Sequence, residues 1–198
     1  LQFLVLGKDG PDFVYEPHEL HEAHWAYMDE WTTALIARGP TLSPDGADHT
    51  GSVHVVDLGD ATLAQRFALD EPYARAGWYS EVSVIAMQPC VDGTMWDRPT
   101  PAAQNLAAFV RADIVAERTT EHVADTLRRL LAESDDPQWL YAGAALSEDR
   151  DRAVGLVGLV DRPPESARQS IEAFVLATTG CAASGVECHR WQRGGRPD

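Results

Sequence analysis

Displaced by 104 positions, the chain meets itself. Gly39 falls on Gly143, Leu42 on Leu146, Ser43 on Ser147 and Asp45 on Asp149. Further on, Gly51 falls on Gly155, Val53 on Val157, Val56 on Val160 and Asp57 on Asp161. No gap is needed. An internal repeat constrains a fold more than any single motif, because each copy must be a supersecondary unit and the copies must bury their apolar faces together. The chain has 198 residues, enough for two units of about 100 each. Its hydrophobic share of 44% is enough for a core.

The order of elements reads the same way in both copies. The apolar run 2–7 predicts a strand, stopped by Gly7, Asp9, Gly10 and Pro11. Residues 11–17 read as loop. From His18 to Ala37 the spacing of Leu20, Ala23, Tyr27, Trp31 and Leu35 predicts a helix, with Gly39-Pro40 as its stop. Residues 40–43 are a candidate short strand, Pro44–Asp48 is turn chemistry, and a β-rich run over 51–58 follows. Asp60 is a candidate N-cap for a helix through Leu69, Pro72 ends that helix, and Trp78–Met87 reads as a strand.

After residues 89–105, rich in Pro and Gly and read as a linker, the pattern returns. Strand 109–116, helix 120–133, extended runs 139–146 and 154–160, a helix opened by Pro163-Pro164 and ended by Gly180, and strand 186–192 complete it. Strand, helix, strand, strand, helix, strand is the ferredoxin-like βαββαβ order. The expected fold is α+β, with repeats at 1–88 and 106–198 and the linker 89–105 between them. Trp96 in the linker has apolar surface and is expected to pack back on a domain.

Composition narrows the partners. The net charge of -15 argues against nucleic acid or anionic lipid. No apolar run approaches the roughly 20 residues of a membrane helix, and residues 1–7 are too short a run for a signal peptide. Cys90, Cys181 and Cys188 are odd in number and form no C-x-x-C pair, which fits a reducing cytoplasm. The alanine-rich, lysine-poor composition is associated with GC-rich bacteria, where such proteins often serve secondary metabolism.

The first copy resembles the YCII-related (YciI-like) proteins of the dimeric α/β-barrel superfamily. The residues that carry the likeness are His24, the Gly39-Pro40 pair, the Gly51-led strand, and Glu71-Pro72-Tyr73 followed by Ala76-Gly77. The resemblance covers residues 1–88. It implies ferredoxin-like sheets paired face to face into a barrel, here as a pseudo-dimer within one chain. It also implies a histidine paired with the aspartate of an Asp-Pro-Tyr motif. That motif position is Glu71 here, with Asp70 just before it. At an offset of 104, His24 meets Arg128 and Tyr73 meets Ala177, so the second copy lacks the motif.

His24 is the lead candidate for proton transfer. A carboxylate beside a histidine fixes its tautomer and raises its basicity, and Glu71 or Asp70 are the two candidates for that role. The competing reading is a helix histidine packed at the sheet edge. His18, His21 and His24 are spaced by three, whereas helical zinc pairs sit four apart, so a solvated helix start is expected and no metal. His54 either points into a barrel pocket or is an ordinary strand histidine; His49 reads as a solvated turn residue. Trp25, Tyr27 and Tyr73 suit an aromatic wall, and Arg38 and Arg75 a substrate carboxylate; the alternatives are core packing and solvated charge.

The function expected from this set is a cofactor-independent acid–base enzyme of lyase or isomerase type. Its substrate would be a small unsaturated or aromatic metabolite. Two alternatives stand: a cofactor-free monooxygenase of aromatic polyketides, which the superfamily resemblance implies, and a non-catalytic small-molecule-binding accessory protein. A homo-oligomer is open.

Overall fold

In the computed structural model, residues 1–14, 18–99, 107–134 and 138–195 are described. Pro17, Pro101 and the rest of the linker from 100 to 105 lie outside them. The first run of elements is β1 (Gln2–Asp9), α1 (Glu19–Glu30), β2 (Leu35–Leu42), β3 (His49–Asp57), α2 (Ala61–Leu69), α3 (Pro72–Arg75) and β4 (Tyr79–Pro89). The second is β5 (Ala107–Asp113), α4 (Thr120–Ser134), β6 (Trp139–Leu146), β7 (Ala153–Val160), α5 (Pro164–Thr179) and β8 (Ser184–Trp191).

All strand pairs are antiparallel, and the strands close into a barrel in the order β1-β3-β2-β8-β5-β7-β6-β4. Within it, β4-β1-β3-β2 and β8-β5-β7-β6 are two ferredoxin-like sheets. They meet at two short seams. At one, Thr41 and Leu42 pair with Trp191 and Arg190. At the other, Met87, Gln88 and Pro89 pair with Ala145, Ala144 and Gly143.

Each strand alternates between two environments, as its period of two requires. One set faces the barrel axis: Leu4, Val53, Val55, Met87, Phe109 and Trp191 form a single buried cluster. The opposite set faces helices. Phe3, Val5 and Val56 pack with Met28 of α1 and Phe67 of α2. Ala108, Val110 and Leu156 pack with Val123 and Leu127 of α4 and Ile171 of α5. Each large side chain fully buried this way contributes about 1.5–3 kcal/mol, so the helix layers and the barrel interior are separate cores joined through one sheet.

Several expectations need correcting. α1 stops at Glu30, not at Ala37. The Thr32 hydroxyl donates to the Asp29 carbonyl, competing with the helix ladder. Leu35, Ala37, Gly39 and Thr41 are then buried at every second position, which is strand periodicity. Gly39-Pro40 therefore lies inside β2 rather than at a helix end. Pro40 is tolerated because its missing N–H lies on the seam side, where its carbonyl accepts from Gln192 N–H at 3.1 Å.

Pro72 opens α3 rather than only ending α2, and Glu71 caps that turn. In the linker, Trp96 is half-exposed and it is Met95 that packs into the end of the barrel. His49 is the first residue of β3 rather than a turn residue. Cys90 and Cys188 are half-buried, and burial pushes both thiols up to about 11; Cys181 is exposed.

Gly39 lets the C-terminal segment close against β2. A Cβ there would run into the carbonyl oxygen of Gln192. Relieving that contact means shifting the backbone of 192–194 away from β2, and the cost is that of overpacking, about 1–3 kcal/mol. Gly39→Ala is expected to lower the urea midpoint accordingly with an unchanged denaturant slope. A midpoint within error of wild type would mean that the seam is not under steric constraint.

Candidate active site

The chemistry-bearing residues of the first half gather on the helix side of its sheet, under α1. His24 projects from α1. Its Nδ1 lies 2.5 Å from Glu71 Oε1. Glu71 is almost fully buried, and its other oxygen accepts the Ala74 N–H at 3.0 Å as the cap of α3. One carboxylate thus starts a helical turn with one oxygen and holds an imidazole with the other. As an acceptor, the carboxylate places the ring proton on Nδ1. That leaves Nε2, which has no hydrogen-bond partner among the described residues.

Asp70 is placed elsewhere. It is half-exposed and pairs with Arg75 at 3.7 Å and Arg66 at 3.9 Å. Arg75 is therefore a surface cation beside its own carboxylate. Of the two carboxylates open in the sequence, Glu71 is the one in contact with His24.

Tyr73 follows from α3. Its ring stacks on His24 with centroids 4.3 Å apart and planes at 4°. Its other neighbours are Trp78, stacked at 5.2 Å, and Phe13, edge-on at 5.5 Å. Its hydroxyl shares a 2.7 Å hydrogen bond with His21 Nδ1. Burial, with Glu71 and Asp9 adding to it, pushes this phenol well above its ordinary value, so it stays protonated. Tyr79 is raised for the same reasons and donates to Ser52 Oγ at 2.8 Å.

His54 does not point into the barrel. It shares a face with Ser52 and Val56, and its ring lies 5.9 Å from His24 and 5.7 Å from Phe67, beneath the helices. Arg38 pairs with it across the strands and reaches Asp29 of α1 at 3.8 Å. Tyr27 donates to the Phe67 carbonyl at 3.2 Å and packs against Trp31, which makes it part of the helix-layer core. Trp25 is half-buried with its ring 6.3 Å from His21.

Asp9 and Phe13 had no site role in the sequence reading, and His49 and His21 were expected to be solvated. His49 Nδ1 is 2.7 Å from Asp9 Oδ2, and its ring stacks on Phe13 at 4.6 Å. His21 joins Tyr73. Nothing in a lone aspartate after a strand, or in a histidine 40 residues later, signals such a pair; the strand register brings them together. His18, the third helix histidine, caps α1 by accepting the Leu20 N–H. Among the described residues no three His, Cys, Asp or Glu side chains converge on a metal position.

His54 carries a stability consequence. Burial first, then the nearby His24, Arg38 and His49, hold its imidazolium well below the ordinary value. In the unfolded chain it titrates near 6.5. Below that pH the unfolded state binds the extra proton, so stability present above about 6.5 is lost as pH falls, by up to about 1.4 kcal/mol per pH unit. Wild-type protein is expected to lose urea stability between pH 7.5 and 5.5, and His54→Gln to lose less. Equal losses in both proteins would assign the acid sensitivity to other groups.

Residues 1–88 match the model of the YCII-related domain. No curated protein matches the chain. Among solved structures, the chain is similar to a candidate monooxygenase of Fusobacterium nucleatum subsp. nucleatum, with a TM-score of 0.58 and 11% identity over 97% of this chain and 91% of that one. A candidate monooxygenase of Lactobacillus acidophilus NCFM gives a TM-score of 0.55 and 10% identity over 98% and 96%. Both likenesses are of fold, and they give this chain the dimeric α/β-barrel architecture. The 5-chloro-2-hydroxyhydroquinone dehydrochlorinase of Burkholderia phenoliruptrix AC1100, solved with 2,5-dihydroxybenzoquinone, is 25% identical with a TM-score of 0.40, over 44% of this chain and 94% of its own. No helix among the described residues is long and apolar enough to cross a membrane.

Proposed function

We propose that the chain is an acid–base enzyme in which His24 moves a proton on a small unsaturated or aromatic metabolite, in a reaction of lyase or isomerase type. The observation that carries this is the hydrogen bond from His24 Nδ1 to a buried, helix-capping Glu71. The carboxylate orients the ring and compensates the charge that appears when Nε2 takes a proton. Tyr73, stacked on the ring, keeps one face of the imidazole from water and restricts its rotation. The protonated phenol of Tyr73 suits a hydrogen-bond donor near a developing oxyanion, not a base, when His21 Nδ1 carries the proton they share.

Such chemistry has a signature that needs no knowledge of the product. An enzyme that removes a carbon-bound proton washes solvent deuterium into the substrate. Enolisable ketones, quinols and unsaturated acids incubated in deuterium oxide are the substrates to screen by proton NMR. Wild-type protein is expected to exchange a specific C–H of at least one class, and His24→Ala to lose that exchange by about 100-fold or more. Exchange that survives in His24→Ala, with the protein folded, removes the histidine from the mechanism.

A further inference from the structure

The two ends of the barrel differ. One is packed solid by Trp191, Tyr141, Met87 and Met95. The other holds a cavity of about 420 Å³. Its floor is apolar: Leu6, Val53 and Phe109. Its walls and rim are polar and come from both halves of the chain. Lys8 and Glu81 are opposite each other on β1 and β4. Arg111 of β5 reaches Glu187 of β8 at 3.6 Å, and the His189 ring stacks on Phe109 at 6.3 Å and 21°.

The cavity faces the barrel axis, while His24 lies across the sheet under α1. Its opening has a topological cause. β8 pairs with β2 only through Trp191 and Arg190, so its earlier residues stand clear of β2. Arg111 is the cation set deeper in the cavity, with its side chain 30% exposed, whereas Glu187 is about half-exposed. A second cavity, at the seam between β4 and β6, also borders on Arg111. A guanidinium set between two cavities, with a half-exposed carboxylate 3.6 Å away, can accept a planar anion bidentately.

We propose that this open end is a second binding site, for a one- or two-ring aromatic carboxylate. The carboxylate would bind Arg111, with Lys8 adding charge at the rim. The ring would lie against Phe109 and His189, and the hydroxyls of Thr41, Thr50 and Ser83 would accept or donate to ring substituents. The volume is within the range of small-molecule pockets. The surrounding chain carries a net charge of -15, whereas the two cations of this cavity match its two carboxylates, Glu81 and Glu187, so the lining is formally neutral where the rest of the surface repels an anion. This gives the second half a role that its lack of a His24 counterpart otherwise leaves empty: it supplies the deeper cation and the ring platform.

The probe is 4-hydroxybenzoate, titrated into the whole chain while amide shifts are followed by NMR, with phenol as the control that lacks the carboxylate. Saturable shifts are expected at β1, β5 and β8, with a dissociation constant of about a millimolar or tighter. Phenol is expected to bind at least tenfold more weakly. Arg111→Gln is expected to weaken the acid at least tenfold. Glu187→Gln is expected to tighten it severalfold, because it removes a repelling carboxylate and releases the guanidinium. His24→Ala is expected to change nothing, which separates this site from the proton-transfer site. Should Arg111→Gln fail to fold, Glu187→Gln and the exposed Lys8→Gln carry the test with opposite signs. No saturation by about 10 mM, shifts centred on α1, or charge variants that move affinity in one direction would each overturn the proposal.

Discussion

Glu71→Gln is expected to cut His24-dependent deuterium exchange by about two to four orders of magnitude while leaving the fold nearly as stable. The substitution keeps the side chain's length. An amide oxygen can still accept the Ala74 N–H and cap α3, as Glu71 Oε2 does now at 3.0 Å. What changes is the group that faces His24. An amide NH2 turned toward Nδ1 donates, so Nδ1 must accept and the ring proton moves to Nε2. The nitrogen that would take the substrate's proton is then already occupied.

Glu71→Ala loses the cap as well and is expected to destabilise by a further ~1 kcal/mol. Asp70→Asn is expected to stay within about twofold of wild type, because Asp70 engages Arg75 and Arg66 at the surface. The three variants, read by exchange rate and by thermal unfolding together, separate tautomer control from packing. A large loss in Asp70→Asn with Glu71→Gln unimpaired would reverse the assignment of the partner.

The strands were legible in the sequence because the offset of 104 residues lays one half on the other. β2 at Leu35–Leu42 falls on β6 at Trp139–Leu146 residue for residue, and β3 at His49–Asp57 starts where β7 does. The same offset exposes the largest misread boundary. Residues 139–146 read as extended, so their counterparts 35–42 had to be extended too. A helical spacing of Trp31 and Leu35 outweighed that argument locally, although four residues of turn separate α1 from β2. Propensity works within one element, and the copy is the longer-range signal.

The dyad was legible as a pair of residue types and not as a pair of positions. Sequence offered Asp70 and Glu71 side by side, one residue apart. The difference between them is made by α3: the carboxylate that caps it is pulled inward, and the preceding one is left at the end of α2 facing solvent. His54 stayed open between barrel and strand surface for a related reason. Alternation says which residues share a face with it, but not whether that face meets the barrel axis or the helices. Only the packing of Val56 and Phe67 decides that. His49 and Asp9 meet through the β1–β3 pairing and had no local signature at all.

Arg193→Ala is expected to cost about 3–5 kcal/mol of unfolding free energy. The guanidinium donates from Nη1 to the carbonyls of Met95 and Arg98, at 3.0 and 3.1 Å. From Nη2 it reaches the Pro99 carbonyl at 2.7 Å and Asp161 Oδ2 at 2.5 Å. Arg193 and Asp161 are largely buried, with side chains 15% and 8% exposed, so solvent screens them little. Removing the arginine strands a carboxylate and three carbonyls together, and the cost is that of leaving them unpaired rather than of one contact.

Asp161→Asn keeps an acceptor for Nη2 and is expected to cost less than half as much. The order of the two variants is the test, since a merely electrostatic pair would make them equal. The segment held this way includes Met95, which plugs the packed end of the barrel, and it lies beside the Gln192 and Gly194 N–H groups that bond β2. Loosening it opens the β2–β8 seam from its packed end, so Arg193→Ala should also become cleavable by protease near residues 95–99 before it unfolds globally. A variant that loses under about 1 kcal/mol and stays uncut would place the closure of the barrel in the strand ladders alone.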